Sequence, residues 1–251
     1  MSIYDVLKRD EVLDYINNKP IYEKRSKEEL KTQALLYLKD LDTKLNKTFY
    51  NFTRHPLNLL FRKINFILDN KNKLHEIINS NNTVVYTINH KSYLDTLLFP
   101  FILNKQQRIL FQDQYKIKNP RSIAGKNVFK KISGFLLRKG FGSIPIDRQN
   151  KDSLYLLLQK NYLSHLLENN QDLIVYHEGG RSYTGKLNKP KLLWLNSCLE
   201  SKNRDNIVIL PVAINYDLIL EDRILTKLKH KKKQRNFNNE FLELVYYGLS
   251  Y

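Results

Sequence analysis

The sequence is poor in cysteine, in long apolar runs and in acidic residues, and each shortage excludes a class of protein. Cys198 is the single cysteine among 251 residues, so an internal disulfide is impossible and a reducing compartment is expected. The best apolar run, 94–103, is too short to cross a bilayer and contains Pro100. Residues 1–13 are rich in charge and lack the apolar core of a signal peptide. Any contact with a membrane is therefore expected at its surface.

Acidic residues are far outnumbered by basic ones. Lys and Arg total 42 against 25 Asp and Glu, which gives a formal net charge of +17 at pH 7. This excess predicts an anionic partner, for which nucleic acid, anionic lipid and a phosphorylated substrate all qualify. Nucleic acid is disfavoured, because no motif that reads RNA or DNA is present and the 16 Tyr and 12 Phe are spread along the chain. The basic run 227–235 suits either anionic headgroups or a solvated loop.

Apolar β-branched runs alternate with helical patterns from residue 83 onwards. Helices are predicted to begin at residue 93 and to cover 153–168 and 192–199, with a loop at 124–127 that leads into a helix. This alternation predicts an α/β fold with a mostly parallel central sheet flanked by helices. The predicted strands are 83–88, 108–111, 142–146, 172–177 and 206–214.

The chain before the first strand has a different character. Residues 1–55 are predicted to form an N-terminal helical segment, and residues 56–251 the main domain. Apolar and basic residues are mixed over 56–79, which predicts an amphipathic basic helix. Such a helix either lies in a bilayer interface or packs on the core, and the sequence leaves both interpretations open.

A histidine follows the first predicted strand, and a carboxylate begins the helix behind it. His90 lies in the turn after the strand, and Asp95 comes five residues later. Open α/β sheets bind ligands beyond the carboxyl ends of their strands. There a neutral imidazole can take a proton near pH 7, and a neighbouring carboxylate can orient it. Ser92 and Asp95 also fit a helix capping box, in which Asp95 is structural.

Two arginines also follow predicted strands. Arg148 comes after the third strand, and Arg181 ends the run 178–181 after the fourth. Parallel strands bring their carboxyl ends to one edge, so we expect both arginines to converge with His90. The guanidinium group of an arginine can donate two parallel hydrogen bonds to two oxygens of one phosphate. Adjacent glycines let backbone amides approach an anion closely. The set predicts a phosphorylated substrate.

The same region contains most of a Walker A pattern. Residues 180–186 read G-x-x-x-x-G-K directly after a strand. However, Leu187 stands where magnesium binding needs Ser or Thr, and Pro190 interrupts the helix that should follow. The strand ending at 210–211 supplies no acidic residue of the Walker B kind. A nucleotide hydrolase is therefore the disfavoured alternative.

Four short motifs resemble, in order, those of the glycerolipid acyltransferases. Residues 123–127, 178–186 and 211–217 are more similar to the enzymes that acylate glycerol-3-phosphate or dihydroxyacetone phosphate than to the lysophosphatidate enzymes. The resemblance extends from about residue 56 to about residue 235. The motifs are His90-x-x-x-x-Asp95, Gly142-Ser-Ile-Pro-Ile-Asp-Arg148, Glu178-Gly-Gly-Arg-Ser182 and Leu210-Pro-Val-Ala-Ile214.

The resemblance implies acyl transfer from acyl-CoA or acyl-carrier protein to a hydroxyl of glycerol-3-phosphate or dihydroxyacetone phosphate. It implies a peripheral protein on the cytoplasmic face of a membrane, with no metal and no bound cofactor. His90 would be the general base, Asp95 its orienting partner, and Pro211 would shape the acyl or donor side. The residues implied in phosphate binding are Arg148, Glu178, Gly179, Gly180, Arg181, Ser182 and Lys186.

Residue chemistry agrees with this resemblance and also marks departures from it. An alcohol attacks a thioester as a base takes its proton, and no Ser or Cys stands in a nucleophile elbow, so we expect direct transfer. Pro145 replaces a usual aromatic residue, and Asp147 resembles the lysophosphatidate enzymes. The sequence ends at Tyr251, before an expected late strand. A lysophosphatidate acyltransferase and a non-catalytic phospholipid-binding member of the fold therefore stay open as alternatives.

Overall fold

Five short strands form one sheet in the computed structural model, which describes residues 2–18, 22–61, 64–92, 94–111, 118–129, 134–182 and 184–217. All neighbouring strands pair in parallel, in the order β3-β2-β4-β1-β5. The α/β fold with a parallel sheet is confirmed. The strands are β1 (Thr83–Ile88), β2 (Arg121–Gly125), β3 (Ile144–Ile146), β4 (Leu173–Tyr176) and β5 (Ile207–Val212).

The register of the sheet aligns the carboxyl ends of its strands. Ile88 of β1 lies opposite Tyr176 of β4 and Val212 of β5. Gly125 of β2 lies opposite Ile146 of β3. The loops that leave these strands therefore share one edge, which is where open α/β sheets bind their ligands.

Helices surround the sheet, and their ends follow local capping signals. Ser26 and Glu29 form a capping box at the start of α3, and Asp152 caps α7. The predicted N-terminal helices and the predicted helix 153–168 are confirmed. The α-helices are α1 (Ile3–Leu7), α2 (Asp10–Asn17), α3 (Lys27–Leu41), α4 (Lys47–Leu60), α5 (Lys71–Asn79), α6 (Asp95–Phe111), α7 (Ser153–Glu168) and α8 (Leu193–Leu199).

The inner strands β1 and β4 are buried on both faces, as their apolar residues require. Alternate residues of β1 face opposite sides: Val85 packs with Leu38 of α3 and Leu158 of α7, and Tyr86 packs with Phe99 of α6. Each such buried side chain contributes about 1.5–3 kcal/mol. No helix within the described ranges is long and apolar enough to cross a membrane.

Two predictions around the second strand are wrong. Residues 108–111 were expected to be a strand but form the last turn of α6, because four apolar or long side chains do not distinguish a strand from a helix end. The second strand is β2, and the predicted loop 124–127 includes its last two residues. The polar residues Arg121 and Ser122 concealed this strand, although both are buried.

The single amphipathic helix predicted over 56–79 is also wrong. α4 ends at Leu60 and α5 begins at Lys71, with irregular backbone over 64–68. Asn70 adopts a left-handed conformation, with φ of 54°, which a continuous helix does not allow. The division at residues 55 and 56 stays a prediction. The basic run 227–235 lies outside the described residues.

Candidate active site

His90 and Asp95 meet at the carboxyl end of β1. Nδ1 of His90 lies 2.9 Å from Oδ2 of Asp95, whose side chain is fully buried. The same oxygen accepts the backbone N–H groups of Lys91, at 2.8 Å, and Ser92, at 3.0 Å. The capping interpretation and the histidine-partner interpretation of Asp95 are therefore compatible. Since an ionised carboxylate only accepts hydrogen bonds, Nδ1 carries the proton and Nε2 keeps its lone pair.

Two tyrosines that the sequence did not single out surround this pair. The ring of Tyr176 lies against the His90 ring, with centroids 4.3 Å apart. Burial raises the pKa of Tyr176, so its hydroxyl stays protonated. Tyr216, in the loop after β5, donates its hydroxyl to Oδ1 of Asp95. Tyr216 lies within the motif 211–217, but only the folded loop shows which atom it contacts.

Glu178 and Ser182 hold the main chain of the histidine from both sides. Oε1 of Glu178 accepts the backbone N–H of His90 at 3.2 Å, and Oε2 accepts the backbone and side-chain N–H groups of Asn188. The backbone N–H of Ser182 donates to the carbonyl of His90 at 2.8 Å. The Ser182 hydroxyl donates to the carbonyl of Lys186 at 2.6 Å. The Glu178 carboxylate and the Ser182 backbone thus connect the loop after β4 to the histidine.

Arg148 follows β3 and lies beside the end of β2. A β-carbon added to Gly125 would stand 3.1 Å from Cζ of Arg148, and one added to Gly180 would stand 3.9 Å from its Nη1. Within the part of the chain that is described, no carboxylate pairs with this guanidinium. Surrounding protein atoms lower the pKa of Arg148, yet arginine stays charged in proteins. The arrangement suits an incoming anion.

A cavity of about 530 Å³ joins these residues. Its volume is in the range of small-molecule sites. Lys126 and Asn127, which follow β2, also line it. The structure therefore brings the predicted base and both predicted arginines to one cavity, with Gly180 in its wall. The predicted residues that line it are His90, Arg148, Gly180 and Arg181.

A second cavity, of about 350 Å³, adjoins the first and shares six lining residues with it, among them Asp147, Arg148 and Tyr176. Its remaining walls are mostly apolar. Gly179, with a positive φ of 68°, lies in this wall beneath the Lys191 side chain. The apolar lining residues include Leu156, Leu163, Val175, Leu193 and Trp194.

Five predicted site residues line neither cavity. Asp95, Glu178 and Ser182 contact His90 from behind the cavity wall. Lys186 is exposed in the loop after β4, and Pro211 is exposed within β5. Among the described residues, no three His, Cys, Asp or Glu side chains lie close enough together to hold a metal ion.

Comparison with known proteins agrees with this geometry. A protein of Shewanella denitrificans named glycerol-3-phosphate acyltransferase is 27% identical over 238 residues, which cover 92% of this chain and 28% of that protein. A protein of the same name from Shewanella halifaxensis is 25% identical over 245 residues, again 92% of this chain and 28% of that protein. The chain spans less than a third of these relatives.

Residues 68–215 match the family described as Acyltransferase. The match includes the strands β1 to β5 and the whole of the cavity edge, with His90, Asp95 and Arg148. It extends over more than half of the chain. The chain therefore belongs to the acyltransferase family.

Proposed function

We propose that this chain transfers a fatty acyl group from a thioester donor, acyl-CoA or acyl-carrier protein, to a hydroxyl of glycerol-3-phosphate or dihydroxyacetone phosphate. The observation that carries the proposal is the shared cavity. In it, a histidine oriented by a buried carboxylate faces the same space as two arginines. The names of the relatives support a phosphorylated glycerol as acceptor.

In the proposed reaction His90 acts first as base and then as acid. Its Nε2 takes the proton of the acceptor hydroxyl as the oxygen attacks the thioester carbonyl. The new C–O bond forms, the C–S bond breaks, and the imidazolium returns the proton to the leaving thiolate. Asp95 keeps the imidazole in the tautomer that this sequence needs and stabilises the imidazolium. No bound cofactor takes part.

Direct transfer fits the site better than an acyl-enzyme. Cys198 is buried in α8, and burial raises the pKa of its thiol to about 11. A thiol with so high a pKa supplies little thiolate near pH 7. Cys198 also lines neither cavity.

The acceptor phosphate is proposed to bind between Arg148 and Arg181. Two guanidinium groups match the charge and the geometry of phosphate oxygens. Glu178 repels a phosphate and has both oxygens engaged by protein N–H groups, so we assign it to positioning the loop. Ser182 has the same role, because its hydroxyl and N–H are used within the protein. Lys186 and Pro211 stay predictions.

The reaction is further proposed to take place on the cytoplasmic face of a membrane. Phe52 and Leu59 lie seven residues apart on α4, which places them on one face, and both are exposed. Ile67, in the segment after α4, is 87% exposed. Lys71 and Lys73, exposed at the start of α5, add positive charge next to it. Apolar side chains flanked by lysines suit an anionic bilayer interface.

An acceptor panel tests the chemistry. The protein would be assayed in detergent or lipid with acyl-CoA and acyl-carrier protein donors against glycerol-3-phosphate, dihydroxyacetone phosphate and lysophosphatidate. We expect turnover on one of the first two acceptors. Preference for lysophosphatidate would move the assignment to the other branch of the family. A folded protein that binds phospholipid vesicles but acylates none of the three would contradict catalysis.

Vesicle sedimentation tests the membrane surface. The double substitution Phe52→Ser with Ile67→Ser is expected to weaken binding to vesicles that contain anionic lipid. Leu36→Ser is the matched control, since Leu36 is also exposed but lies on α3. Equal binding by the wild type and both variants would exclude this surface.

A further inference from the structure

The loop after β5 is attached to the loop that carries the histidine. The side chain of Asn89 makes two hydrogen bonds to the backbone of Ile214. Its amide N–H donates to the carbonyl of Ile214 at 3.0 Å, and its oxygen accepts the N–H of Ile214 at 2.7 Å. Nζ of Lys91 donates to Oδ1 of Asn215 at 2.8 Å. These contacts bring Tyr216, two residues past Ile214, to the buried carboxylate of Asp95.

Tyr216 contacts the oxygen of Asp95 to which the described residues of the histidine loop, 89–92, do not donate. Oδ2 accepts from His90 and from two backbone N–H groups, and Oδ1 accepts from the Tyr216 hydroxyl. The ring of Tyr216 packs against the apolar cluster that includes Leu94 and Leu98. The hydroxyl is thus held in place by the packing of its own ring.

A donor on Oδ1 matters because the terminal torsion of an aspartate is soft. Asp95 is fully buried, so an Oδ1 without a donor would lack both water and a protein partner. The carboxylate could then rotate to share its existing donors between both oxygens. Such rotation changes the position and the angle of Oδ2 relative to Nδ1 of His90.

We propose that Tyr216 is a positioning residue for the reaction: its hydroxyl fixes the carboxylate plane of Asp95, and Asp95 in turn fixes His90. The inference rests on the proposed function for its kinetic consequence, but not for its structural one. Tyr216 acts through Asp95 and does not line either cavity. The loop after β5 thereby contributes to the base although it supplies no atom that touches substrate.

Tyr216→Phe tests this directly, because it removes the hydroxyl and keeps the ring in the apolar cluster. We expect kcat to fall roughly tenfold to hundredfold, as small displacements of reacting groups do, with little change in KM for the acceptor. The pH–rate profile should change shape. Tyr37→Phe is the matched control, since the Tyr37 hydroxyl also donates to a carboxylate, Asp152, at 2.9 Å, and neither of these residues lines either of the two cavities or contacts Asp95. Its kinetics should equal those of the wild type.

Asn215→Ala separates positioning from simple attachment of the loop. It removes the Lys91–Asn215 contact but leaves Tyr216, Lys91 and the bonds to Asp95 in place. The proposal expects this variant to keep most of the wild-type kcat. Equal losses of kcat in Asn215→Ala and Tyr216→Phe would overturn the proposal, because they would trace the effect to loop attachment.

A spectroscopic readout makes the test independent of turnover. The Nδ1–H proton of His90 can be observed by NMR in protein labelled with ¹⁵N-histidine and assigned by its loss in His90→Gln. We expect the resonance to shift or broaden in Tyr216→Phe and to stay in place in Tyr37→Phe. An unchanged resonance together with an unchanged kcat would overturn the inference. If the wild type showed no turnover but the resonance still shifted in Tyr216→Phe, the result would contradict only the proposed function and not the positioning of His90.

Discussion

The two ends of the sheet carry similar charged side chains in opposite situations. At the amino end, the guanidinium of Arg121 donates to the carbonyl of Gly142, the hydroxyl of Thr43 and the hydroxyl of Tyr162, and only 4% of the residue is exposed. At the carboxyl end, Arg148 has no carboxylate partner within the described residues and lines a cavity. The first arginine completes the structure, and the second is available to a ligand.

The buried carboxylates differ in the same way. Asp172, just before β4, accepts the backbone N–H of Val84 at 2.9 Å and joins two neighbouring strands. Asp95 also accepts backbone N–H groups, but one of its partners is a histidine whose other nitrogen has no hydrogen-bond partner among the residues that the structure describes. A buried charged group therefore indicates function when it, or the group that it orients, has a hydrogen-bonding position that faces a cavity and is not used within the protein.

The largest effect is expected from Asp95→Asn. The amide oxygen takes the place of Oδ2, because the N–H groups of Lys91 and Ser92 need an acceptor there, and the amide N–H₂ then faces Tyr216. The histidine keeps a neutral acceptor but loses the negative charge that stabilises its imidazolium, and kcat should fall by about 10³-fold. Steady-state kinetics with a thermal melt on the same sample would check this. A variant that retains a tenth of the wild-type kcat would contradict the assigned role.

Arg148→Met should come next and should act on function without loss of stability. A charge-assisted pair of bonds to phosphate is lost, so kcat/KM for the acceptor should fall roughly hundredfold. The melting temperature should stay near that of the wild type, because no carboxylate within the described ranges pairs with this guanidinium. A loss of stability with unchanged kcat/KM would show that Arg148 has a structural role, which would contradict the difference drawn between the two ends of the sheet.

Arg121→Met is the matched substitution at the amino end and should act on stability alone. It leaves the carbonyl of Gly142 and two hydroxyls with fewer donors in a buried site. We expect the free energy of unfolding to fall by about 2–4 kcal/mol. The kcat of the folded fraction should be unchanged. Urea unfolding and active-site titration measure the two quantities, and a large kcat defect in fully folded protein would be the opposing result.

Gly125→Ala should lower kcat/KM for the acceptor, as Arg148→Met does, but by a smaller factor. The added β-carbon would stand 2.6 Å from Oδ1 of Asn127 and 3.1 Å from Cζ of Arg148. One or both side chains must shift, so we expect kcat/KM to fall roughly tenfold, as displacement of a substrate-positioning group does. Acceptor saturation curves would show whether the defect lies in KM. Wild-type kinetics would mean that the guanidinium position is not critical.

Asp172→Asn should leave activity intact and change only the pH dependence of stability. Burial raises the pKa of Asp172 to about 6, despite nearby Lys118 and the Val84 N–H. Between about pH 4 and 6 the folded protein therefore holds a proton that the unfolded chain releases. Its free energy of unfolding falls as pH rises through that window, by on the order of 2–3 kcal/mol.

The amide of Asp172→Asn still accepts the Val84 N–H but cannot ionise. The variant should therefore equal the wild type near pH 4 and exceed its stability above pH 6. Urea unfolding at several pH values between 4 and 7 would compare the two proteins. If the free energy of unfolding changed with pH in the same way in both proteins, the carboxylate of Asp172 would contribute nothing to the pH dependence of stability.

The sequence was informative where a single periodic signal determined the structure. The buried run 83–88 and the helix 153–168 are long enough to identify by pattern. The rule that parallel strands share a carboxyl edge then placed His90, Arg148 and Arg181 together. What failed was the short element β2, whose polar first residues gave no strand pattern.

Contacts that depend on tertiary structure were not predictable from spacing. Tyr216 reaches Asp95 only because the loop after β5 folds across the neighbouring strand end. Glu178 lies next to the glycines and Arg181 in sequence, which suggested a phosphate site, yet its carboxylate turns inward to His90 and Asn188. A motif identifies which residues belong to a site, and the fold decides which of them face the ligand.

The most direct test of the account compares acyl transfer by the wild type and by His90→Ala under single-turnover conditions. The labelled acyl thioester would be mixed with excess acceptor, and thermal melts of both proteins would confirm equal folding. The account predicts that removal of the base slows transfer by about 10²–10⁴-fold. A folded His90→Ala protein that transfers the acyl group at the wild-type rate would contradict the assignment of the carboxyl edge as the catalytic site.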